Sequence, residues 1–407
     1  MSQRSQVEFD KIIDEWVEKA NKNKGTVREL YKKLGPYPID ERNFMGQQMN
    51  EWVTTDTIRH FAATLGDRNP MWWNEEYAKK TRWGGIIAPA TFIDFICPPY
   101  TAIKVESPVE YAFPGMVGGC KREWLQAIRP GDRIKAVTKW LGLEERPTKQ
   151  EPKRFRLFIN TDQYRYMNQK EETVAVVDSR FMILATYADP AAATQPLFAG
   201  GGRKRHKLTD EERDAIYRGY DTETRRGADT LFWEDINVGD ELKPLVVGPL
   251  SAWDTAAFLV AIPGFAVAFD MEWDRMKLDF GGAWLDPEVN AWKRGAEAHF
   301  RDGSGHADIV SGGYAFGFGG QIEGLICRGL YNWMGDDGFL RKIDSQYRVL
   351  VIHGDVLYVK GKVTNKSVEG NEHLVDLEVR CENQEGLILV PAKATVRLLS
   401  RTQSKVR

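Results

Sequence analysis

The stretch FAATLGDRNPMWWNEEYAKKTRWGGIIAPATF, residues 61–92, is the most informative part of the chain. Its loop places Asp67 and Asn69 just before Pro70, where such side chains either cap a turn or take part in chemistry. The glycine pair at 84–85 then opens an apolar segment of small residues. That segment predicts a long buried helix, and the glycines are expected to shape the backbone rather than bind phosphate.

The same succession of elements occurs a second time further along the chain. Residues 53–65 (VTTDTIRHFAATL) and 249–261 (PLSAWDTAAFLVA) both carry a hydroxyl residue close to an Asp-Thr pair, which predicts a capped helix. A second glycine pair, at 312–313, also opens a segment that predicts a long buried helix. An internal repeat of this kind indicates two equivalent units in one chain.

Alternating strands follow the helices in both halves. Each half has a strand with a Gly-Asp turn (131–132 and 354–355) and a hairpin with an Asn-Gln turn (168–169 and 383–384). Strands that alternate apolar and polar residues have one face to cover, and the long helix covers it. The sequence therefore predicts an α+β fold in which each antiparallel sheet wraps a helix, with the two sheets continuing into one another.

The chain is predicted to have three parts: an N-terminal domain with a helical arm at 1–195, a linker with a short helix at 196–228, and a C-terminal domain at 229–407. The run RKRHK at 203–207 is typical of an exposed, solvated linker. Thr209 and Glu212 predict a capping box at the start of the short helix. Apolar residues at helical spacing predict that the N-terminal arm is packed: Phe9, Ile12, Ile13 and Trp16.

Composition limits the classes of partner. The formal net charge of −2 gives no indication of nucleic acid or of an anionic membrane. Polar residues interrupt the apolar stretches before a membrane-spanning length, and the N-terminus has no apolar signal core. No CxxC pair occurs, so reduced thiols and a cytoplasmic location are expected. No cluster of His, Cys or carboxylate residues has metal-ligand spacing, so neither a metal nor a redox cofactor is expected.

Residues 61–92 resemble the signature of MaoC-like, R-specific enoyl-CoA hydratases, Gly-Asp-x-Asn-Pro-x-His followed by a spacer and a glycine-containing turn into a helix. The likeness runs without a gap through Tyr77 to Gly84. In the second half, HFRDGSGHADIVSGG at 299–313 resembles the family's His-x-Asp stretch and its Ile-Val-His-Gly. The resemblance covers about residues 40–400 and implies a fused double hotdog, two antiparallel sheets each wrapped on a long central helix.

The first half departs from the family at two positions. The family's histidine falls on Trp72, which cannot transfer a proton at neutral pH. The family's glycine at the helix start falls on Ala90, which still has a backbone N–H. The second half is complementary, because it has His299 near the histidine position and Gly312 near the helix start.

What the resemblance implies is an acyl-CoA hydratase or dehydratase that needs no cofactor. Adding water to an unsaturated thioester needs a base for the water and N–H donors for the charge that develops on the thioester oxygen. The implied catalytic residues are His299, Asp302, Asp67 and Asn69. The implied substrate-binding residues are Gly312, Ala90 and Trp72.

Our hypothesis is a single active site in the second half. Gly312 N–H would polarise the thioester, and His299 would act as the base, aided by Asp302 or by Asp67 reaching across the interface. We also expect a homo-oligomer. Two alternatives stay open: a non-catalytic double hotdog that holds an acyl-CoA for a partner protein, and a hotdog thioesterase. His299 and Asp67 also have structural interpretations, as a satisfied core histidine and as part of a turn.

Overall fold

A computed structural model describes residues 6–32, 48, 50–99, 115–148, 155–186, 202–262, 283–286, 288–303, 307 and 310–402. The first half contributes strands β1 (Val27–Glu29), β2 (Gly115–Trp124), β3 (Lys135–Arg146), β4 (Phe155–Met167) and β5 (Thr173–Thr186). The second half contributes β6 (Leu245–Val247), β9 (Phe339–Ser345), β10 (Leu357–Glu369), β11 (Glu372–Asn383) and β12 (Ile388–Leu398). Strands β7 (Ala283–Asp286) and β8 (Ala291–Arg294) form a separate hairpin.

The ten strands of the two halves form one antiparallel sheet. Their order is β1-β3-β4-β5-β2-β9-β12-β11-β10-β6, so the second half repeats the order of the first in reverse. At the centre β2 pairs with β9 in antiparallel fashion, with Lys121 opposite Asp344 and Glu123 opposite Lys342. This order confirms that two equivalent units lie side by side and that their sheets continue into one another.

The helices lie at α1 (Gln6–Asn21), α2 (Thr55–Thr64), α3 (Pro70–Trp73), α4 (Glu75–Lys79), α5 (Ile93–Ile96), α6 (Asp210–Asp221), α7 (Ala252–Ala261) and α8 (Gly319–Met334). The predicted arm is α1, and the predicted capping box begins α6 at Thr209. Thr54 caps α2 and Ser251 caps α7 in the same way. No helix within the described ranges has the length and apolar character needed to cross a membrane.

The repeated turns also have the same contacts in both halves. Gln169 Oε1 accepts the backbone N–H of Arg133 at 3.1 Å, and Gln384 Oε1 accepts that of Val356 at 2.9 Å. Each glutamine therefore joins its hairpin to the residue that follows the Gly-Asp turn. The repeat read from the sequence is thus a repeat of contacts as well as of residues.

The long helix of the second half begins later than the sequence predicts. Helix α8 starts at Gly319, and most of its residues are buried. The predicted start at Gly312 is wrong, because Gly312 and Gly313 have φ of 75° and 97°. A left-handed backbone at two successive residues makes a turn and cannot begin a right-handed helix.

The first half does not have a long helix within the described residues, which contradicts the prediction. One 3-10 turn (Ala90–Phe92) leads into α5, which ends at Ile96. Cys97 is already extended, and two prolines follow at 98–99. Proline removes a backbone donor and forces the residue before it out of the helical region, so the helix ends there.

The basic linker is not simply solvated, contrary to the expectation from the sequence. The Arg203 guanidinium binds Asp355 through two nitrogens at 3.1 and 2.7 Å. Arg205 binds Asp302 through two nitrogens at 2.9 Å each and donates to the carbonyl oxygen of His353 at 2.6 Å. The linker is therefore held against two loops of the second half.

A buried ionic cluster joins the two halves at the centre of the sheet. Arg122 of β2 is only 1% exposed and donates to both carboxylate oxygens of Asp94 on α5, at 2.6 and 3.0 Å. Its Nε contacts Glu323 of α8, which also accepts a hydrogen bond from Ser345. Burial raises the pKa of the Asp94 carboxyl, and Arg122 opposes that rise.

Candidate active site

In the first half, Asp67 and Asn69 form a loop that satisfies itself. Asp67 is buried; one oxygen accepts the backbone N–H of Asn69 at 3.0 Å and the other accepts the indole N–H of Trp72 at 2.8 Å. Asn69 caps α3 by accepting the N–H of Met71 at 3.0 Å. Burial raises the pKa of the Asp67 carboxyl. These contacts are those of a structural turn.

The helix-start N–H of the first half is occupied by a protein oxygen. Ala90 N–H donates to the Tyr331 hydroxyl at 3.0 Å. The Tyr331 ring, from the last turn of α8, meets the Trp72 ring edge to face with centroids 5.2 Å apart. Trp72 is itself buried. Two aromatic side chains therefore fill the place where the resemblance implies a substrate.

We expect Asp67→Asn to leave turnover of an enoyl thioester within about twofold of wild type, since loss of a true general base costs about 10²–10⁴-fold. The reason is that both carboxylate oxygens of Asp67 already accept hydrogen bonds, one from the Asn69 backbone and one from the Trp72 indole. Steady-state kinetics on the purified variant check this. A loss of a hundredfold or more in kcat would show that the active site lies in the first half.

In the second half, His299 ends a 3-10 turn (Gly295–His299) and is half-buried. Its Nδ1 lies 2.8 Å from the carbonyl oxygen of Phe316. Its ring stacks on Phe318 with centroids 3.9 Å apart. Because a carbonyl can only accept, the neutral imidazole carries its proton on Nδ1, and Nε2 is the basic nitrogen. His299 has the tautomer and the fixed orientation that a general base needs.

Asp302 lies near this turn but its carboxylate is engaged elsewhere. Besides the pair with Arg205, it accepts the backbone N–H of Ala315 at 2.8 Å. The hydrogen bond from Arg205 is the largest cause of the lowered pKa of the Asp302 carboxyl. These contacts give Asp302 a role in holding the loop after His299.

Asp67 does not reach His299. Asp67 lies beside Trp72, which packs on Tyr331 near the end of α8. His299 lies on Phe318, the residue that caps the start of α8. Because a helix rises 1.5 Å per residue, Phe318 and Tyr331 are about 20 Å apart along its axis. The predicted help from Asp67 across the interface is therefore wrong.

The helix start that corresponds to Ala90 is Gly319. Asp94 and Glu323 occupy equivalent places, because both bind Arg122, and each lies four residues after Ala90 and Gly319 respectively. Phe318 caps α8 without a side-chain hydrogen bond, so the first-turn N–H groups at the positive end of this long helix have no side-chain cap. The His299 ring stacks on this capping residue. Gly312, by contrast, is exposed in its turn.

An apolar cavity of about 350 Å³ lies beside this helix start, between the two halves. Strands β2, β4 and β5 supply its first wall: Met116, Val117, Phe155, Leu157, Met182 and Leu184. The second half supplies the other, including Gly317, Gly319, Ile322, Tyr347, Val349, Leu350 and Val351. Ala298, next to His299, belongs to the same hydrophobic cluster as Phe155 and Leu184. The cavity wall therefore adjoins the His299 turn.

Sequence reasoning missed Gly319 and the cavity. Gly319 could have been found from the sequence, because it lies four residues before Glu323, just as Ala90 lies four residues before Asp94. The cavity could not have been found in this way, because its walls come from strands far apart in the sequence. In the described part of the chain, no three His, Cys, Asp or Glu residues are grouped so that they could hold a metal ion.

Comparison with known proteins agrees with this architecture. Residues 42–177 match the family model described as FAS1-like, dehydratase domain region. A solved protein described as a MaoC-like dehydratase is similar with a TM-score of 0.56 and 17% identity, over 89% of this chain and 100% of that one. A conserved hypothetical protein from Mycobacterium tuberculosis with a double hotdog fold gives a TM-score of 0.50 and 13% identity, over 92% and 96%. Curated proteins gave no match in sequence.

The chain thus has an α+β double hotdog fold, as the sequence predicted. The resemblance to MaoC-like dehydratases is confirmed by the match of the first half to a dehydratase domain model and by the fold of the whole.

Proposed function

We propose that the protein is a hydro-lyase that adds water to, or removes it from, an α,β-unsaturated acyl-CoA thioester at one site in its second half. His299 is the base, Gly319 N–H binds the thioester oxygen, and the cavity between the halves holds the acyl chain. The observation that carries the proposal is the meeting of three features at one end of α8: a half-buried histidine with a fixed tautomer, an uncapped helix start, and an apolar cavity.

The chemistry follows from these positions. When water attacks Cβ, the electrons of the double bond move towards the thioester, and negative charge develops on its oxygen. N–H groups at a helix start stabilise that charge without moving, because they are already oriented. His299 Nε2 takes the proton of the water and returns a proton to Cα, so no cofactor is consumed.

Gly319 suits close approach for a steric reason. A Cβ at this position would lie 2.3 Å from the ring of Tyr347. The helix start is therefore packed against the Tyr347 ring, and both residues line the cavity. This packing supports a role for the backbone of Gly319, rather than for a side chain, in holding the thioester.

One observation favours the binding module as the second candidate. The two carboxylates predicted to assist His299 are committed, Asp302 to Arg205 and Asp67 to Trp72. A carboxylate hydrogen-bonded to a catalytic histidine stabilises the imidazolium that forms, and these two carboxylates bind other residues instead. A protein that only holds an acyl-CoA for a partner would use the same cavity and helix start without needing that carboxylate.

A panel of trans-2-enoyl-CoA substrates from four to sixteen carbons tests the proposal. The loss of the conjugated double bond is followed by ultraviolet absorbance, and binding of the matching saturated acyl-CoA is followed by calorimetry. Hydration of at least one chain length supports the enzyme. Binding without hydration across the panel identifies a binding module, and release of free thiol identifies a thioesterase.

We expect Met182→Trp to shift the preferred acyl chain towards shorter substrates. Met182 lies directly opposite Met116 across β2 and β5, and both line the cavity. Filling the space with an indole should lower kcat/KM for the longest accepted enoyl-CoA by about tenfold, because overpacking and lost burial each cost of the order of 1–3 kcal/mol. The four-carbon substrate should be nearly unaffected.

The control for this prediction is Met334→Trp, at the far end of α8 and away from the cavity. It should disturb stability without changing the order of chain-length preference. An equal loss for short and long chains in Met182→Trp would show that the acyl chain does not lie on this wall.

A further inference from the structure

Gln321, in the first turn of α8, has one buried polar atom that its surroundings do not satisfy. The residue is 3% exposed. Its Nε2 donates to the carbonyl oxygen of Asp254 at 2.9 Å. Because a carbonyl can only accept, this bond fixes which end of the amide is nitrogen. Oε1 is then the remaining atom, and no hydrogen-bond partner for it exists among the described residues.

The position of Oε1 follows from its closeness to Gly317. It lies 3.6 Å from the place that a Cβ on Gly317 would occupy, and Gly317 lines the cavity. Gly317 stands between Phe316, whose carbonyl binds His299, and Phe318, on which the His299 ring stacks. The buried oxygen therefore lies beside Gly317, whose two neighbours in the sequence both contact His299.

The first half shows that the fold does not need a polar residue here. Counting from Ala90 and Gly319, the residue that corresponds to Gln321 is Phe92. Phe92 is fully buried and packs edge to face on Phe61, with centroids 5.8 Å apart. A buried acceptor without a partner lowers the stability of the folded protein. Gln321 therefore destabilises the second half, which contains His299, whereas Phe92 does not destabilise the first half in this way.

We propose that Gln321 Oε1 holds the water molecule that His299 deprotonates, which makes Gln321 a catalytic residue. This inference rests on the proposed function. A buried polar site with an unsatisfied acceptor is where an ordered water binds. Gln321 is suited to orient the water because its amide is held by Asp254 and cannot turn.

The step balances with these groups alone. One hydrogen of the water is donated to Gln321 Oε1 and stays on the oxygen, while the other is transferred to His299 Nε2. The water oxygen forms a bond to Cβ of the enoyl thioester as the Cα–Cβ π bond breaks. The imidazolium then gives its proton to Cα, and the product is a 3-hydroxyacyl thioester.

The first test is Gln321→Met, which keeps the length and apolar volume of the side chain and removes the acceptor. We expect kcat for hydration to fall by about 10²-fold, the effect of misplacing a reacting group by about 1 Å. KM and the Kd of the saturated acyl-CoA should stay near wild type. Asn160→Leu, a buried amide on β4 with an unpartnered Nδ2, is the matched control and should keep wild-type kcat.

The second test is Gln321→Glu, which remains informative if the methionine variant does not fold. A protonated carboxyl can donate to the carbonyl of Asp254 and still offer an acceptor oxygen, whereas a carboxylate cannot donate. We expect the ratio of its kcat to that of wild type to fall as pH rises and the carboxyl ionises. A merely structural role of Gln321 would leave this ratio flat.

The outcomes separate the two proposals. If wild type hydrates an enoyl-CoA and Gln321→Met keeps kcat within about twofold, where a lost orienting group costs far more, the role of Gln321 is overturned and the proposed function stands. A flat pH ratio for Gln321→Glu overturns it in the same way. If wild type hydrates no member of the panel, the proposed function fails and the role of Gln321 fails with it.

Discussion

Replacing His299 by Ala should lower kcat for hydration by about 10²–10⁴-fold, the usual effect of removing a general base. The side chain contacts Phe316 and Phe318 at the helix start. Binding of a saturated acyl-CoA should stay within about threefold, because the cavity and Gly319 are unchanged. Stopped-flow or steady-state absorbance and calorimetry on the same preparation measure both quantities.

His60→Ala is the matched control for this experiment. His60 is exposed on α2 and belongs to the first half, so its loss should change neither quantity. Near-normal turnover of His299→Ala would show that the base lies elsewhere. Loss of acyl-CoA binding together with activity would instead give His299 a structural role in shaping the cavity.

Replacing Arg122 by Met should destabilise the protein by about 3–5 kcal/mol, because two carboxylates then stay buried without their partner. Asp94 and Glu323 both contact this one guanidinium, and all three side chains are almost completely buried. The cluster joins α5, β2 and α8, so the loss should be felt by both halves. The free energy of unfolding in urea, followed by tryptophan fluorescence, measures the effect.

Two further variants make this prediction specific. Arg133→Met removes an arginine that pairs with Glu51 at the surface, and it should cost no more than about 1 kcal/mol. The triple variant Arg122→Met, Asp94→Asn, Glu323→Gln removes the unpaired charges as well. The triple variant should regain most of the lost stability. If it is as unstable as the single variant, the packing of the Arg122 side chain, and not its charge, accounts for the loss.

The fold could be predicted from the sequence because its signals are local and occur twice. The Gly-Asp and Asn-Gln turns have the same hydrogen bonds in both halves. The repeat in the sequence therefore predicted a repeat in the structure. The lengths of the helices could not be predicted as well. Pro98 and Pro99 end the helix of the first half, and two left-handed glycines delay that of the second half to Gly319.

The candidate site could be predicted from the sequence only in part, because it depends on contacts between distant parts of the chain. His299 could be found from a residue pattern, but its orientation comes from the Phe316 carbonyl. The occupation of Ala90 N–H by Tyr331 joins residues of opposite halves. The engagement of Asp302 by Arg205 joins the linker to the second half. The cytoplasmic location and the homo-oligomeric state stay predictions from the sequence.

The pairing of β2 with β9 at the centre of the sheet has a consequence for biosynthesis. The ribosome completes the first half, including β2, long before it makes β9. Until then β2 has an unpaired edge, and such an edge recruits strands of other chains. We expect the nascent chain to need protection during this interval. Natural selection would then keep the first half for a second reason besides its wall of the cavity, because β2 pairs with the edge of β9 that β12 leaves open.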